Sequence, residues 1–238
     1  MMDSQTLMEY SKPFLDHLTD WNTKLPTLDL AAELQEPQRA AVISVDLTRG
    51  FCTVGPLASP RVQAIVAPIV RLFERTHALG VPHFVLPQDT HEPDAVEFGS
   101  FAPHCVRGTE EAKTAPELTA LPFAGQFTVI PKNSINSVLA PGWQAWQAKH
   151  ADVSTFIVVG DCTDFCVYQL AMALRVSANS NQARDVRVIV PADCVDTYDV
   201  PLDVAQSLGI LPHPGDLIHL FFLYHMALNG VEVVAHVQ

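Results

Sequence analysis

Short runs of consecutive apolar residues alternate along the chain with stretches in which apolar residues recur every three or four positions. The short runs are typical of strands buried in a parallel sheet, and the longer stretches are typical of helices packed on it. The predicted strands are 40–45, 81–86, 126–130, 155–159, 184–190 and 231–235. The predicted helices are 60–79, 141–150, 168–177 and 216–229. This alternation predicts a three-layer α/β/α fold, Rossmann-like, with a mostly parallel six-stranded sheet.

Three segments lie outside this alternation. Residues 1–38 are polar and mixed, and they predict an N-terminal arm with one or two short helices, separate from a single domain at 39–238. The arm either covers a sheet edge or a neighbouring subunit, or is a loosely ordered leader. Residues 92–125 are rich in proline and glycine and predict a long loop, which in a compact domain is usually functional or disordered. Residues 193–214 predict a second loop.

Composition narrows the class of protein. Hydrophobic residues make up 48% of the 238 residues and charged residues 17%, which is typical of a globular chain with a sizeable core. The formal net charge of -12 disfavours nucleic acid and anionic membranes as partners, and leaves small neutral molecules as candidates. We see no signal peptide, no run of membrane-spanning length and no disulfide pattern among the five cysteines, so we expect a cytoplasmic protein.

Three chemically useful residues each follow a predicted strand, namely Asp46, Lys132 and Cys166. Because parallel strands end at the same edge of a sheet, where open α/β folds bind ligands, we expect these side chains to meet. A carboxylate can accept the proton of a thiol, and a nearby ammonium group favours both ionised forms, so the set suits amide hydrolysis. Taken singly, the same residues could be a turn cap, a solvated charge and a buried packing residue.

A candidate metal site begins at the end of the second strand. Asp89 and His91 project to the same side of an extended backbone, and Glu97 and His104 follow in the loop. Two imidazoles and two carboxylates suit a divalent transition metal, with zinc, manganese and iron left open. An isolated Asp-x-His pair in a chain with ten histidines is more often structural, but the four residues together favour metal binding.

Several motifs resemble those of a known family. Residues 45–52, 131–133 and 160–167 resemble the three catalytic motifs of the cysteine hydrolases of the isochorismatase-like superfamily, and the last of them is the most specific. Residues 89–91 and 103–109 together resemble the metal motif of the nicotinamidase family within that superfamily. The chain is therefore similar to these hydrolases over most of its length.

The resemblance, which spans about residues 40–236, implies a role for each matching residue. It implies a general base, a lysine and a nucleophile, namely Asp46, Lys132 and Cys166. It implies ligands for one divalent metal ion, zinc before manganese or iron, namely Asp89, His91, Glu97 and His104. It further implies that the metal holds the pyridine nitrogen of the substrate.

Further expectations follow from the resemblance. It implies a cis peptide bond between Asp161 and Cys162, which aims the Cys162 N–H, together with that of Cys166, at an oxyanion. It places Phe51 and Phe101 around the substrate ring, and it implies assembly into a homo-oligomer. The sequence departs from the family pattern at 48–50 and at Cys162, and the 195–215 loop is long, so the pocket wall differs.

The expected reaction is hydrolysis of nicotinamide to nicotinate and ammonia through a cysteine thioester. One alternative is hydrolysis of another amide or carbamoyl compound by an enzyme of the same superfamily, which would generally lack the metal ligands. Isochorismatase itself is a weaker alternative because it does not use the cysteine. An alternative from another class is a non-catalytic thiol switch in which Cys162 and Cys166 form a redox pair.

Overall fold

The computed structural model describes residues 3–238, which form nine α-helices and nine β-strands. The helices are α1 (Ser4–Thr23), α2 (Leu30–Glu33), α3 (Arg49–Cys52), α4 (Pro60–Ala78), α5 (Pro116–Thr119), α6 (Pro141–Lys149), α7 (Cys166–Ser180), α8 (Leu202–Leu208) and α9 (Gly215–Leu228). The strands are β1 (Thr27–Leu28), β2 (Ala40–Val45), β3 (His83–Asp89), β4 (Phe127–Lys132), β5 (Thr155–Asp161), β6 (Arg187–Pro191), β7 (Val195–Asp196), β8 (Glu232–Val234) and β9 (His236–Val237).

The central sheet is entirely parallel. Its strands lie in the order β4-β3-β2-β5-β6-β8, and the short strand β7 also pairs with β5. The predicted fold class is confirmed, but the sheet has seven strands rather than six. The additional strand has only two residues, which is too few to produce an apolar pattern in the sequence. A separate parallel pair joins β1 to β9.

Helices cover both faces of the sheet and produce two hydrophobic cores. All six residues of β2 are buried, and successive side chains enter opposite cores because strand residues alternate between faces. Val42 packs in the core that includes Ile69 of α4, whereas Ile43 packs in the core that includes Leu170 of α7 and Leu223 of α9. Burial on both faces explains why the predicted strands are continuous apolar runs.

The N-terminal segment differs from the short helices predicted for it. Helix α1 has 20 residues and packs on α9, with Leu18 fully buried. The rings of Phe14 and Trp21 lie 5.4 and 5.2 Å from that of Tyr224 on α9. Phe14, Leu18 and Trp21 are spaced four and three residues apart, which places them on one helix face. The predicted arm includes residues 1 and 2, which lie outside the described residues, and its boundary at 38 stays a prediction.

The two predicted loops contain more regular structure than expected. Residues 92–125 include α5, and residues 193–214 include β7 and α8. These elements have two to seven residues each, so their positions depend on tertiary contacts more than on local pattern. Within residues 3–238, no helix is both long enough and apolar enough to cross a membrane.

Candidate active site

The three candidate catalytic residues meet at the C-terminal edge of the sheet. Asp46 directly follows β2, Lys132 is the last residue of β4 and Cys166 is the first residue of α7. The Lys132 Nζ atom lies 2.7 Å from Asp46 Oδ2 and 3.5 Å from Cys166 Sγ. All three residues are buried. The parallel sheet thus brings together residues that are separated by 120 positions in the sequence, as the strand ends predicted.

The backbone around Asp46 is held in a specific geometry. Asp46 has a φ of 54°, in the left-handed region that is uncommon for residues other than glycine. Its Oδ1 atom accepts a hydrogen bond from the Asp89 N–H at 2.7 Å. The adjacent Val45 pairs with Gly160 of β5, and a Cβ atom at Gly160 would lie only 1.9 Å from the Val45 carbonyl oxygen. The close approach of these two strands therefore requires glycine.

Lys132 lies between two buried carboxylates. Its Nζ atom is 2.7 Å from Asp46 Oδ2 and 2.5 Å from Asp89 Oδ1. Burial opposes the charged ammonium, but the charges of Asp46 and Asp89 outweigh it and hold the pKa of Lys132 well above its usual value. Lys132 is therefore a permanent cation that holds the carboxylates in place.

Burial raises the proton affinity of both the base and the thiol. Burial and the repulsion of Asp89 raise the pKa of Asp46 to about 6, although Lys132 opposes the shift. Burial also raises the pKa of the Cys166 thiol well above its usual value, with Lys132 again opposing. The free site thus favours a neutral thiol beside a carboxylate of increased basicity. Because one Asp46 oxygen lies within 4.8 Å of Sγ, the proton has a nearby acceptor when the sulfur attacks.

The turn before Cys166 has the geometry that the resemblance implied. The peptide bond between Asp161 and Cys162 is cis. Within residues 3–238, the N–H groups of Cys162 and Cys166 donate to no backbone carbonyl, so both remain available to an oxyanion. Burial and the repulsion of Asp46 raise the pKa of Asp161 well above its usual value. This raised pKa favours the neutral form of Asp161, which adds no negative charge to the site.

Four residues form a cluster suited to a metal ion, namely Asp89, His91, Glu97 and His104. One ligand atom from each lies within 4.8 Å of the others. The Nδ1 atom of His91 is 2.8 Å from the side-chain oxygen of Asn133, and that of His104 is 2.8 Å from the Ala102 carbonyl oxygen. These contacts leave both Nε2 atoms facing the cluster, because a metal-binding histidine typically forms a hydrogen bond through its other ring nitrogen.

The Nε2 atom of His91 supports metal binding most directly. It is buried and makes no hydrogen bond to any of residues 3–238, and the nearest Asp89 oxygen is 3.5 Å away. Buried polar atoms are nearly always paired. The two imidazoles and two carboxylates therefore fit a divalent metal ion.

One carboxylate links the cluster to the catalytic residues. Asp89 contacts Lys132 through Oδ1, and its Oδ2 atom is 3.7 Å from Nε2 of His104. Lys132 and two histidines hold the pKa of Asp89 below its usual value despite the opposing effect of burial. An ionised Asp89 is thus available to a metal while it also positions Lys132.

Aromatic side chains surround the cluster. The ring centres of Phe51 and Phe101, both predicted from the resemblance, lie 5.5 and 6.3 Å from that of His104. Two further rings were not predicted from the sequence, namely that of Phe98, 5.6 Å from the ring of His104, and that of Phe165, 5.9 Å from the ring of Phe101. Phe98 directly follows Glu97, and Phe165 directly precedes Cys166. These adjacent positions were the available signals for both residues.

Comparison with known proteins defines the class. The isochorismatase domain model matches residues 40–213, which is more than half of the chain. The chain belongs to the isochorismatase domain family, and it is an enzyme of the isochorismatase-like hydrolase class. The resemblance stated from the motifs is confirmed.

The chain is also similar to individual proteins of the nicotinamidase and pyrazinamidase type. The chain is 28% identical to Nicotinamidase 1 of Arabidopsis thaliana over 228 residues, which cover 86% of this chain and 89% of that protein. A pyrazinamidase/nicotinamidase from Streptococcus mutans has 19% identity and a TM-score of 0.63, covering 82% and 99% of the two chains. A pyrazinamidase of Pyrococcus horikoshii in complex with zinc has 19% identity and a TM-score of 0.61, covering 82% and 98%. The two solved structures share the fold.

Proposed function

We propose that this protein is a metal-containing cysteine amidohydrolase that converts nicotinamide to nicotinate and ammonia, a reaction of pyridine nucleotide salvage. The observation that carries the proposal is the position of Asp89, whose carboxylate contacts Lys132 and also lies in the metal-ligand cluster. This arrangement suits a substrate that has a metal-binding atom at one end of a flat ring and a reactive amide at the other. The similarity to a plant nicotinamidase supports this substrate.

The metal would be held by Asp89, His91, Glu97 and His104. A bound divalent ion would act as a Lewis acid that accepts the lone pair of the pyridine nitrogen and so orients the ring. Zinc is the first choice, with manganese or iron as alternatives, because imidazole and carboxylate ligands suit all three. The zinc complex of the Pyrococcus horikoshii relative supports zinc.

The first half of the reaction acylates Cys166. Asp46 accepts the thiol proton, and the sulfur attacks the carboxamide carbon. The N–H groups of Cys162 and Cys166 donate to the oxygen that becomes negative, a type of interaction that strengthens in the transition state. Asp46 then gives the proton to the leaving nitrogen. The C–N bond breaks, ammonia departs and a thioester remains on Cys166.

The second half of the reaction releases the acid. Asp46, now ionised again, accepts a proton from a water molecule that attacks the thioester carbon. The C–S bond breaks, the Cys166 sulfur recovers its proton from Asp46, and nicotinate leaves. Lys132 stays protonated throughout and fixes Asp46 relative to the sulfur. Phe51 and Phe101 exclude water from the flat faces of the ring.

The direct test is ammonia release from nicotinamide by the purified protein. We expect turnover that is lost with a chelator and restored by zinc. The Cys166→Ala variant is expected to be folded and inactive, whereas Cys194→Ala, which removes another buried thiol, is expected to retain activity. Substantial ammonia release by Cys166→Ala would refute the thioester mechanism.

The same purified protein distinguishes nicotinamide hydrolysis from the two alternative functions. Chelator-insensitive release of ammonia from carbamoyl compounds, with none from nicotinamide, would replace the substrate assignment but keep the cysteine hydrolase. A peroxide-dependent disulfide between Cys162 and Cys166 without amidase activity would favour a thiol switch. Assembly into a homo-oligomer stays a prediction, which the mass in solution tests.

A further inference from the structure

The 197–214 segment is fastened to the turn that carries the nucleophile. Strand β7 precedes the segment and pairs with Gly160 and Asp161 of β5. The segment is closed by Val200 and His213, whose backbones exchange two hydrogen bonds of 2.8 and 2.9 Å. Although most of the loop between them is exposed, His213 is buried. His213 therefore lies at the base of the loop, against the body of the protein.

Both ring nitrogens of His213 face oxygen atoms, namely a carbonyl that can only accept hydrogen bonds and a carboxylate that only accepts when it is ionised. Nδ1 is 2.9 Å from the Tyr198 carbonyl oxygen, and Nε2 is 2.9 Å from Asp164 Oδ2. A neutral imidazole has one hydrogen on its two nitrogens, so it can satisfy only one of these contacts. The geometry therefore suits an imidazolium paired with an Asp164 carboxylate. The Tyr198 ring stacks on the imidazole at 3.9 Å.

The buried carboxylate of Asp164 is paired with His213. Its side chain is 5% exposed, and within residues 3–238 its buried Oδ1 atom has no hydrogen-bond partner. Asp164 lies two positions before Cys166, and the intervening Phe165 has its ring 6.1 Å from that of His213. The pair thus connects the loop to the turn of the nucleophile and to the aromatic wall beside it.

We propose that His213 is a positioning residue, which as an imidazolium hydrogen-bonded to Asp164 and Tyr198 clamps the 197–214 segment against the nucleophile turn and closes the outer wall of the substrate pocket. His213 touches no reacting atom in this assignment. It acts through Asp164 and Phe165, which adjoin Cys166. The part of the proposal that concerns substrate binding rests on the proposed amidase function, and the part that concerns the clamp does not.

The clamp has a defined pH dependence. Burial lowers the pKa of His213, but the hydrogen bond and charge of Asp164 outweigh burial, so its pKa is raised. The stabilisation is thus fully present below about pH 6.5, the value of an unfolded histidine, and is lost as the pH rises through the raised folded value. Further titratable groups close to Asp164 are Cys162, Tyr198 and His219.

The first test needs no turnover. In ¹⁵N-histidine NMR of the whole protein, we expect both His213 nitrogens to carry hydrogen at pH 6, with deprotonation above about pH 6.5, the ordinary value for a histidine. In hydrogen exchange, we expect the Val200 and His213 amides to exchange about ten-fold faster in His213→Ala, the factor given by about 1.4 kcal/mol. The His236→Ala control is expected to match the wild type.

The Asp164→Asn variant is a conservative substitution that is expected to keep the 197–214 segment in place with a neutral His213. Its side-chain amide can donate to Nε2 of His213 while Nδ1–H donates to the Tyr198 carbonyl oxygen, so a neutral imidazole satisfies both contacts. We expect slow amide exchange in this variant with no dependence on His213 titration. If His213→Ala does not fold, the titration of His213 in the wild type and the amide exchange of Asp164→Asn still test the proposal.

The kinetic test separates positioning from chemistry. For nicotinamide, we expect His213→Ala to raise KM about ten-fold, equivalent to about 1.4 kcal/mol, with a smaller change in kcat. If the protein does not hydrolyse nicotinamide, the NMR and exchange results still stand. A His213 that stays neutral between pH 5 and 8, or loop exchange in His213→Ala equal to that of the wild type, would overturn the proposal.

Discussion

The Gly160→Ala substitution tests whether the close approach of β2 and β5 builds the site. Gly160 has a φ of +109°, which residues other than glycine rarely adopt. An added Cβ would lie 1.9 Å from the Val45 oxygen and 2.8 Å from the Val45 carbonyl carbon and nitrogen. Because all three atoms belong to the backbone, no rotation of a side chain can relieve the overlap. Relief requires β2 and β5 to separate.

The cost can be estimated from two contributions. A strained backbone conformation costs about 1–3 kcal/mol, and overpacking of a filled core costs about 1–3 kcal/mol. Together they give a loss of about 2–6 kcal/mol in the free energy of unfolding, a large part of the 5–15 kcal/mol typical of a domain. Activity should fall further, by about 100-fold for a displacement of about 1 Å, because Asp46 follows Val45 directly.

Urea unfolding followed by tryptophan fluorescence measures the first effect, and ammonia release measures the second. At a slope of about 3 kcal/mol per molar, the midpoint should fall by about 0.7–2 M. The matched control is Gly125→Ala, since no atom lies within 4 Å of the added Cβ and its φ is ordinary. A Gly160→Ala protein with the midpoint and activity of the wild type would show that the strands do not constrain the site.

Two further predictions concern the metal cluster and helix α1. Asn133→Ala removes the acceptor that orients His91, so zinc affinity should fall about 10–100-fold in a chelator competition; Asn136→Ala is the control, and equal affinities would contradict the ligand role of His91. Leu18→Ala empties a fully buried site on α1 and should lower the free energy of unfolding by about 2–5 kcal/mol. Leu15→Ala, at a position 40% exposed, should cost far less, and equal losses would show that α1 is not docked.

Much of the sheet follows from local sequence. The strand predicted at 40–45 is β2 residue for residue, and the helix predicted at 60–79 ends one residue earlier in the structure. Strands buried on both faces leave apolar runs that need no knowledge of the fold. The rule that parallel strands end at one edge then places Asp46, Lys132 and Cys166 together, without any information on strand order.

The short elements and the contacts between distant segments could not be predicted from the sequence. Strand β7 and helix α8 have two and seven residues, so their own patterns are too brief to predict a structure. The length of helix α1 was underestimated although Phe14, Leu18 and Trp21 have helical spacing, and only the structure shows that this face packs on α9. Phe98 and Phe165 were missed for a similar reason, since an aromatic residue in a loop has no periodicity that indicates its neighbours.

The sequence by itself determined the class of fold, the residue types of the site and the edge of the sheet on which they lie, because periodicity and strand direction are local properties. Only the tertiary structure decided that Asp89 is shared between Lys132 and the metal-ligand cluster. It likewise decided that His213 meets Asp164 across 49 residues of chain. Such pairings depend on the packing of distant segments, which sequence spacing does not encode, and they set the charges and the hydrogen bonds of the site.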